Sequence, residues 1–270
     1  MKRSSGIRLC VTVAVGALSL ALITGCSDGG SDKAESNTGS STGDSARDSS
    51  KNTAKALSVA ELKKRIITQG DVTGYKVGAV SGSPARAGIK AEEKCKPLLY
   101  PMSGLAPTVA SAETNRMATA EKKPSAAATA LEDMSDAEMD DALTASMSID
   151  VTIVTLSSYD GDGAQKAVKA VSDAVADCAS GFTAGSGGDE QKFSKVVAEK
   201  GPGTGDESVA FAANGEMDDT DGKSAVVHVD VVRHGNNVAS YYTMNLGRMI
   251  ADKAYTVPAA VVTAQSAKLK

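Results

Sequence analysis

Met147, Ile149, Val151 and Ile153 alternate with Ser148, Asp150 and Thr152, the period of two that sets one buried face on a β-strand. A second alternation covers Ala225–Arg233 and a third Val238–Leu246, and Gly235-Asn236 between them is a two-residue hairpin turn with glycine first. With the turn placed there, Val229 faces Tyr242 and Asp230 faces Tyr241. One face of the hairpin then carries Val227, Val229, Val231, Tyr242 and Met244, and belongs in the core. The other carries His228, Asp230, Tyr241 and Thr243. Further short strands are predicted over Val72–Val77, Lys192–Glu199 and Glu207–Ala212.

Helical spacing appears in four places. Ser58 and Glu61 form a capping box ahead of Val59, Leu62 and Ile66, which predicts a helix over Ser58–Thr68 stopped by Gly70. A short helix is expected over Ala91–Tyr100, interrupted by Pro97 and closed before Pro101. Val168, Val171, Val175 and Cys178 share one stripe of a helix over Ala164–Ala179, so Cys178 faces the core. Pro258 starts a terminal helix towards Leu269. The Ala-, Thr- and Lys-rich stretch Ser111–Ser135 reads as a loosely structured excursion. Strands that follow one another without a repeated βαβ unit predict an α+β domain: a single, largely antiparallel sheet with helices packed mainly on one face.

The first residues follow a different pattern. Lys2, Arg3 and Arg8 precede an uncharged apolar run from Leu9 to Ile23 that ends in Ile23-Thr24-Gly25-Cys26, the arrangement of an export signal too short to span a bilayer. A cysteine at the first mature position resembles the bacterial lipobox, in which that thiol is lipidated. The resemblance implies a chain held on the outer face of the cell membrane by Cys26, with acyl chains on one terminus for stable attachment. Ser27–Ala56 is Ser-, Gly-, Asp- and Thr-rich and buries too little to order itself. It is expected to be a flexible tether with a root-mean-square span of about 30 Å. The domain organisation is therefore residues 1–25 as leader, 26–56 as lipidated cysteine and tether, and 57–270 as one extracytoplasmic domain.

Removing the leader with its three basic residues takes the formal net charge from −4 to −7, which is unsuited to nucleic acid or to electrostatic gripping of an anionic membrane. With Cys10 in the leader and Cys26 lipidated, Cys95 and Cys178 remain, and an oxidising compartment predicts one disulfide between them. Two histidines in the whole chain make a zinc site improbable, and no metal or cofactor is expected. Gly222-Lys223-Ser224 lacks the earlier glycine of a phosphate-binding loop, Met217 standing in its place. Asp160-Gly161-Asp162-Gly163 would put Lys169 at the twelfth position of a calcium loop, where a carboxylate is required. Asp218, Asp219 and Asp221 read as an exposed acidic turn.

His228 and Asp230, two apart on a strand, share a face, and a carboxylate so placed orients an imidazole. Neither Gly-x-Ser-x-Gly nor another nucleophile motif accompanies them, so no catalytic residue is assigned. His228, Asp230 and Tyr241 are instead the candidate ligand-binding residues, with Tyr242 near the same edge. The expected partner is a small molecule, an envelope component or another protein. A structural or protein-interaction lipoprotein is the alternative, and an envelope hydrolase a more distant one.

Gly70-Asp71-Val72-Thr73-Gly74-Tyr75, Ser157-Ser158-Tyr159, Asp177-Cys178, Gly205-Asp206-Glu207-Ser208, Val232-Arg233-His234-Gly235-Asn236 and Ala264-Gln265, in that order, resemble actinobacterial surface lipoproteins. Those in turn are similar to the extracellular sensor domain of certain mycobacterial serine/threonine kinases. The resemblance implies a single sheet with helices enclosing a cleft, and ligand sensing rather than catalysis. Such domains often carry two disulfides, whereas this chain has cysteines for one.

Overall fold

A computed structural model describes residues 54–82, 85–121, 135–186, 189–216 and 224–270. The leader, Cys26, the tether up to residue 53, the phosphate-loop remnant at Gly222-Lys223 and the acidic run Asp218–Asp221 lie outside them. Nine strands form one antiparallel sheet: β1 (Tyr75–Gly78), β2 (Ile89–Lys90), β3 (Ala112–Ala120), β4 (Val151–Ser158), β5 (Phe182–Ser186), β6 (Asp189–Glu199), β7 (Glu207–Glu216), β8 (Ser224–His234) and β9 (Asn237–Met244). Their spatial order is β1-β3-β4-β9-β8-β7-β6-β5-β2. Six helices complete the α+β fold: α1 (Val59–Arg65), α2 (Lys96–Met102), α3 (Asp136–Met147), α4 (Gly163–Asp177), α5 (Leu246–Ile250) and α6 (Ala259–Ala267).

The hairpin turns where the sequence places it, and β8 and β9 pair with Val229 opposite Tyr242 and Asp230 opposite Tyr241. Val227, Val229 and Val231 meet Leu98 and Leu99 of α2 and Val168 and Val171 of α4 in one apolar cluster. On the opposite face Val154, Leu156, Val232, Ala239 and Tyr241 form a second cluster with Leu62, Ile66, Ile67, Val261 and Val262. Helices α2 and α4 thus cover the first face and α1 and α6 part of the second. The hairpin's polar face is therefore not a solvated surface throughout. The cause is β4 and β9, central strands whose residues are buried on both sides.

Local differences from the sequence reading have plain causes. Helix α1 has the predicted capping box at Ser58 but ends at Arg65, because Ile66 turns extended to send Ile66 and Ile67 into the core. Gln265 of α6, itself fully buried, accepts from the Ile67 amide at 3.0 Å and donates to the Arg65 carbonyl at 2.8 Å, satisfying the end of α1. Pro97 opens α2 rather than interrupting it, and Pro101 lies inside that helix. Ser111–Ser135 is not an excursion throughout, since Ala112–Ala120 is β3, hydrogen-bonded between β1 and β4. Met147 and Ile149 precede strand β4; Met147 ends α3, which opens with its own capping box at Ser135 and Glu138.

Cys95 and Cys178 are joined in a disulfide, each 1% exposed, linking the start of α2 to the end of α4. At the other end of the sheet the entering chain is fixed to loops. Ala56 N–H donates to Asp160, Leu57 N–H to Ser158 Oγ, and Asn236 Nδ2 to the Lys55 carbonyl. Among the described residues no helix is long and apolar enough to cross a membrane.

Candidate functional site

Three strands supply the floor of the site. Across β6, β7 and β8, Glu199 stands opposite Ala210 and Ala210 opposite Asp230, while the neighbouring row runs Val197, Ala212, His228. Side chains two apart on a strand share a face, so Glu199, His228 and Asp230 all rise on the second face of the sheet. The two alanines between them end at Cβ. Over that low middle strand Glu199 reaches His228, with Oε2 at 2.9 Å from Nδ1.

A loop after β9 roofs the floor. Asn245 Oδ1 caps α5 by accepting from the Arg248 amide at 3.0 Å, and Asn245 Nδ2 donates to Asp150 at 2.7 Å. After the Ala251 C-cap, Asp252 takes a left-handed conformation with φ 51°. Its amide bonds to the Met249 carbonyl and the Lys253 amide to the Arg248 carbonyl, a Schellman closure with aspartate where glycine is commonest. Arg248 Nη1 donates to the Ala254 carbonyl at 2.6 Å, and the Tyr255 hydroxyl donates to the Val226 carbonyl. The Tyr255 ring meets His228 edge-on, with centroids 4.6 Å apart. Between floor and roof is a cavity of about 450 Å³, lined by Glu199, Val226, His228, Met249, Tyr255 and the polar rim Arg248, Asp252 and Lys253.

Burial governs the electrostatics. Asp230 is 8% exposed, and burial first, the Glu199 carboxylate second, push its pKa up to about 7. Burial also raises the Tyr255 hydroxyl well above its ordinary value. In the tautomer that donates Nδ1–H to Glu199, the lone pair of the ring stands at Nε2. His228 is 7% exposed, and Nε2 has no hydrogen-bond partner among the described residues. The arrangement is a proton acceptor oriented by a carboxylate, with neither serine nor cysteine among the cavity-lining residues.

Sequence reasoning paired His228 with Asp230; the structure pairs His228 with Glu199, whose carboxylate also raises the pKa of the buried Asp230. Tyr241 is not brought to the cavity. It is fully buried beneath α6, its hydroxyl directed at Ser266, and burial raises its pKa. Tyr242 points to the first face, where burial lifts its hydroxyl to about 12. Glu199, Tyr255 and the roof loop were missed by sequence reasoning. Nothing short-range links Glu199 to His228, 29 residues away; only the register of three strands does.

No family model matches the chain, and no curated protein sequence matches it. Among solved structures, the extracellular domain of PknH from Mycobacterium tuberculosis is similar to it, with a TM-score of 0.47 and 10% identity, covering 80% of this chain and 97% of that chain. Another hollow, of about 330 Å³, is lined by Ile89, Leu99 and Phe193 and has no histidine among its lining residues.

Asp230 gives the stability a pH dependence of definite sign. Between pH about 4 and 7 the native protein holds a proton that the unfolded chain has released, so this residue lowers stability as pH rises through that window. Below it the penalty is absent and above it complete. Asp230→Asn removes the penalty. Urea unfolding is expected to show the variant's advantage over the parent larger at pH 8 than at pH 5, by about 2–3 kcal/mol. An equal advantage at both values would show that Asp230 ionises freely in the fold.

Proposed function

We propose that this chain is a lipid-anchored extracytoplasmic binding domain that captures a small molecule in the cavity over Glu199 and His228. The observation that carries the reading is the cavity itself: a concave site of ligand size, apolar on Val226, Met249 and Tyr255, with an imidazole oriented by the Glu199 carboxylate at its base. The location is supported by the export-signal pattern ending in Cys26 and by the buried Cys95–Cys178 disulfide, a bond of oxidising compartments. Neither serine nor cysteine is among the cavity-lining residues beside His228, which favours binding over acyl-transfer hydrolysis.

Native mass spectrometry of the full chain, extracted from the envelope of the cells that make it, tests the reading. A reproducible excess mass is expected on the parent protein and not on Ala254→Trp, whose indole fills the mouth of the cavity from an exposed loop position. An adduct that survives Ala254→Trp places the ligand elsewhere. Processing and membrane retention lost in Cys26→Ala are the expected result for the anchor, and retention of that variant in the membrane overturns it.

A second reading, a protein-interaction lipoprotein, is favoured by one feature. On the packed pair α3 and α5, Met139, Leu143 and Leu246 are 42%, 57% and 47% exposed. Crosslinking in intact cells from position 143 that traps one defined partner would support this role beside ligand binding.

A further inference from the structure

We infer that the ligand presents a primary ammonium to the sheet side of the cavity; this rests on the binding reading above. Every polar side chain on the floor is an acceptor. Glu199 offers a carboxylate about one-third exposed, and in the tautomer that donates Nδ1–H to it, His228 presents an Nε2 lone pair from a residue that is 93% buried. Asp230, two residues along the same strand, lies outside the cavity lining, and among the described residues no lysine or arginine pairs with Glu199. An acceptor-lined, partly dry floor with no cation of its own is complementary to a group that brings both positive charge and several N–H donors.

The ammonium meets those requirements better than the other cations. Among the described residues no group of three or more histidine, cysteine or acidic side chains is placed to hold a metal ion. A quaternary ammonium has no N–H for Nε2 to accept. A primary ammonium donates to Glu199 and to Nε2 together, while the carbon body of the ligand lies against Val226, Met249 and Tyr255. The roof contributes the opposite sign at the mouth, where Arg248 and Lys253 stand with Asp252. The floor therefore selects the amine, and the mouth tolerates an anionic or neutral far end.

Three ring compounds of nearly equal shape separate charge from fit: benzylammonium, benzyl alcohol and benzoate. Saturation-transfer NMR on the full chain, with Ala254→Trp as the control for contact outside the cavity, is expected to rank benzylammonium at least tenfold tighter than the other two. Glu199→Gln should weaken benzylammonium about tenfold and leave benzyl alcohol within twofold, which a merely structural role of Glu199 would not do. Benzyl alcohol or benzoate binding as tightly as benzylammonium, or no cavity signal from benzylammonium, overturns the ammonium assignment. In that event an envelope-derived adduct still lost in Ala254→Trp leaves the binding site standing and removes only the ligand class. Absence of the adduct from the parent protein, or its survival in Ala254→Trp, removes both.

Discussion

Replacing both Cys95 and Cys178 with alanine is expected to lower the stability of the domain by about 2–4.5 kcal/mol. The upper figure follows from the 83-residue separation in the chain-entropy account of loop closure. For a domain of this size such a loss lowers the thermal midpoint by roughly 10 °C, measurable by calorimetry or circular dichroism. The bond joins two elements of the first face, α2 and α4, whereas Glu199, His228 and Asp230 stand on the second. Ligand capture at low temperature should therefore survive in the double variant even as its midpoint falls. A midpoint within 2 °C of the parent would mean that the two helices are held by apolar packing alone. Because both sulfurs are buried, the native protein should also resist alkylation until reductant and denaturant are applied together.

Gly181→Ala is expected to be nearly as damaging, by about 3 kcal/mol. The glycine follows the disulfide, its amide donates to the Cys178 carbonyl at 2.9 Å, and it turns the chain into β5 with φ 94°. A Cβ there would stand 2.2 Å from the Phe193 carbonyl oxygen, so β6 must move away. That movement disturbs the stacked Phe182 and Phe193 rings, now 4.8 Å apart. Gly70 supplies the control: it has the same φ of 94° and open space around its missing Cβ. Gly70→Ala should lose only the backbone contribution, about 1 kcal/mol, and the difference between the two variants in urea unfolding measures the collision. Equal losses would show that β6 yields without penalty.

The elements legible in the sequence are those whose determinants are local. The β8–β9 hairpin was readable down to its register because a two-residue turn leaves no freedom once alternation is known. The Ser58 box and the valine stripe of α4 were readable for the same reason. Strand β3 was not, because Glu113, Thr114, Asn115 and Arg116 have no apolar alternation and owe their conformation to neighbours on both sides. Helix α3 did announce itself through Ser135 and Glu138, a box identical in kind to the one at Ser58, but the alternation beginning at Met147 masked its end. At the site, the strand period brought His228 and Asp230 to one face. The same period also implied an open face for Tyr241, and there tertiary cover by α6 decided otherwise. Glu199 and Tyr255 depend on a three-strand register and on a roof loop, which no window of sequence contains.

The way the chain enters the domain fixes where an anchor would load it. Ala56, Leu57 and Lys55 are fastened to the loops at Ser158, Asp160 and Asn236, beside the β8–β9 turn, whereas His228 lies near the middle of β8. Six steps of strand separate His228 from His234, about 20 Å at the rise of an extended chain. Under the lipid-anchored reading proposed above, the pull of an anchor would reach the domain through the loops at Ser158, Asp160 and Asn236, about six strand steps from His228, and so would load the turn end of the sheet while leaving the floor of the cavity unstressed.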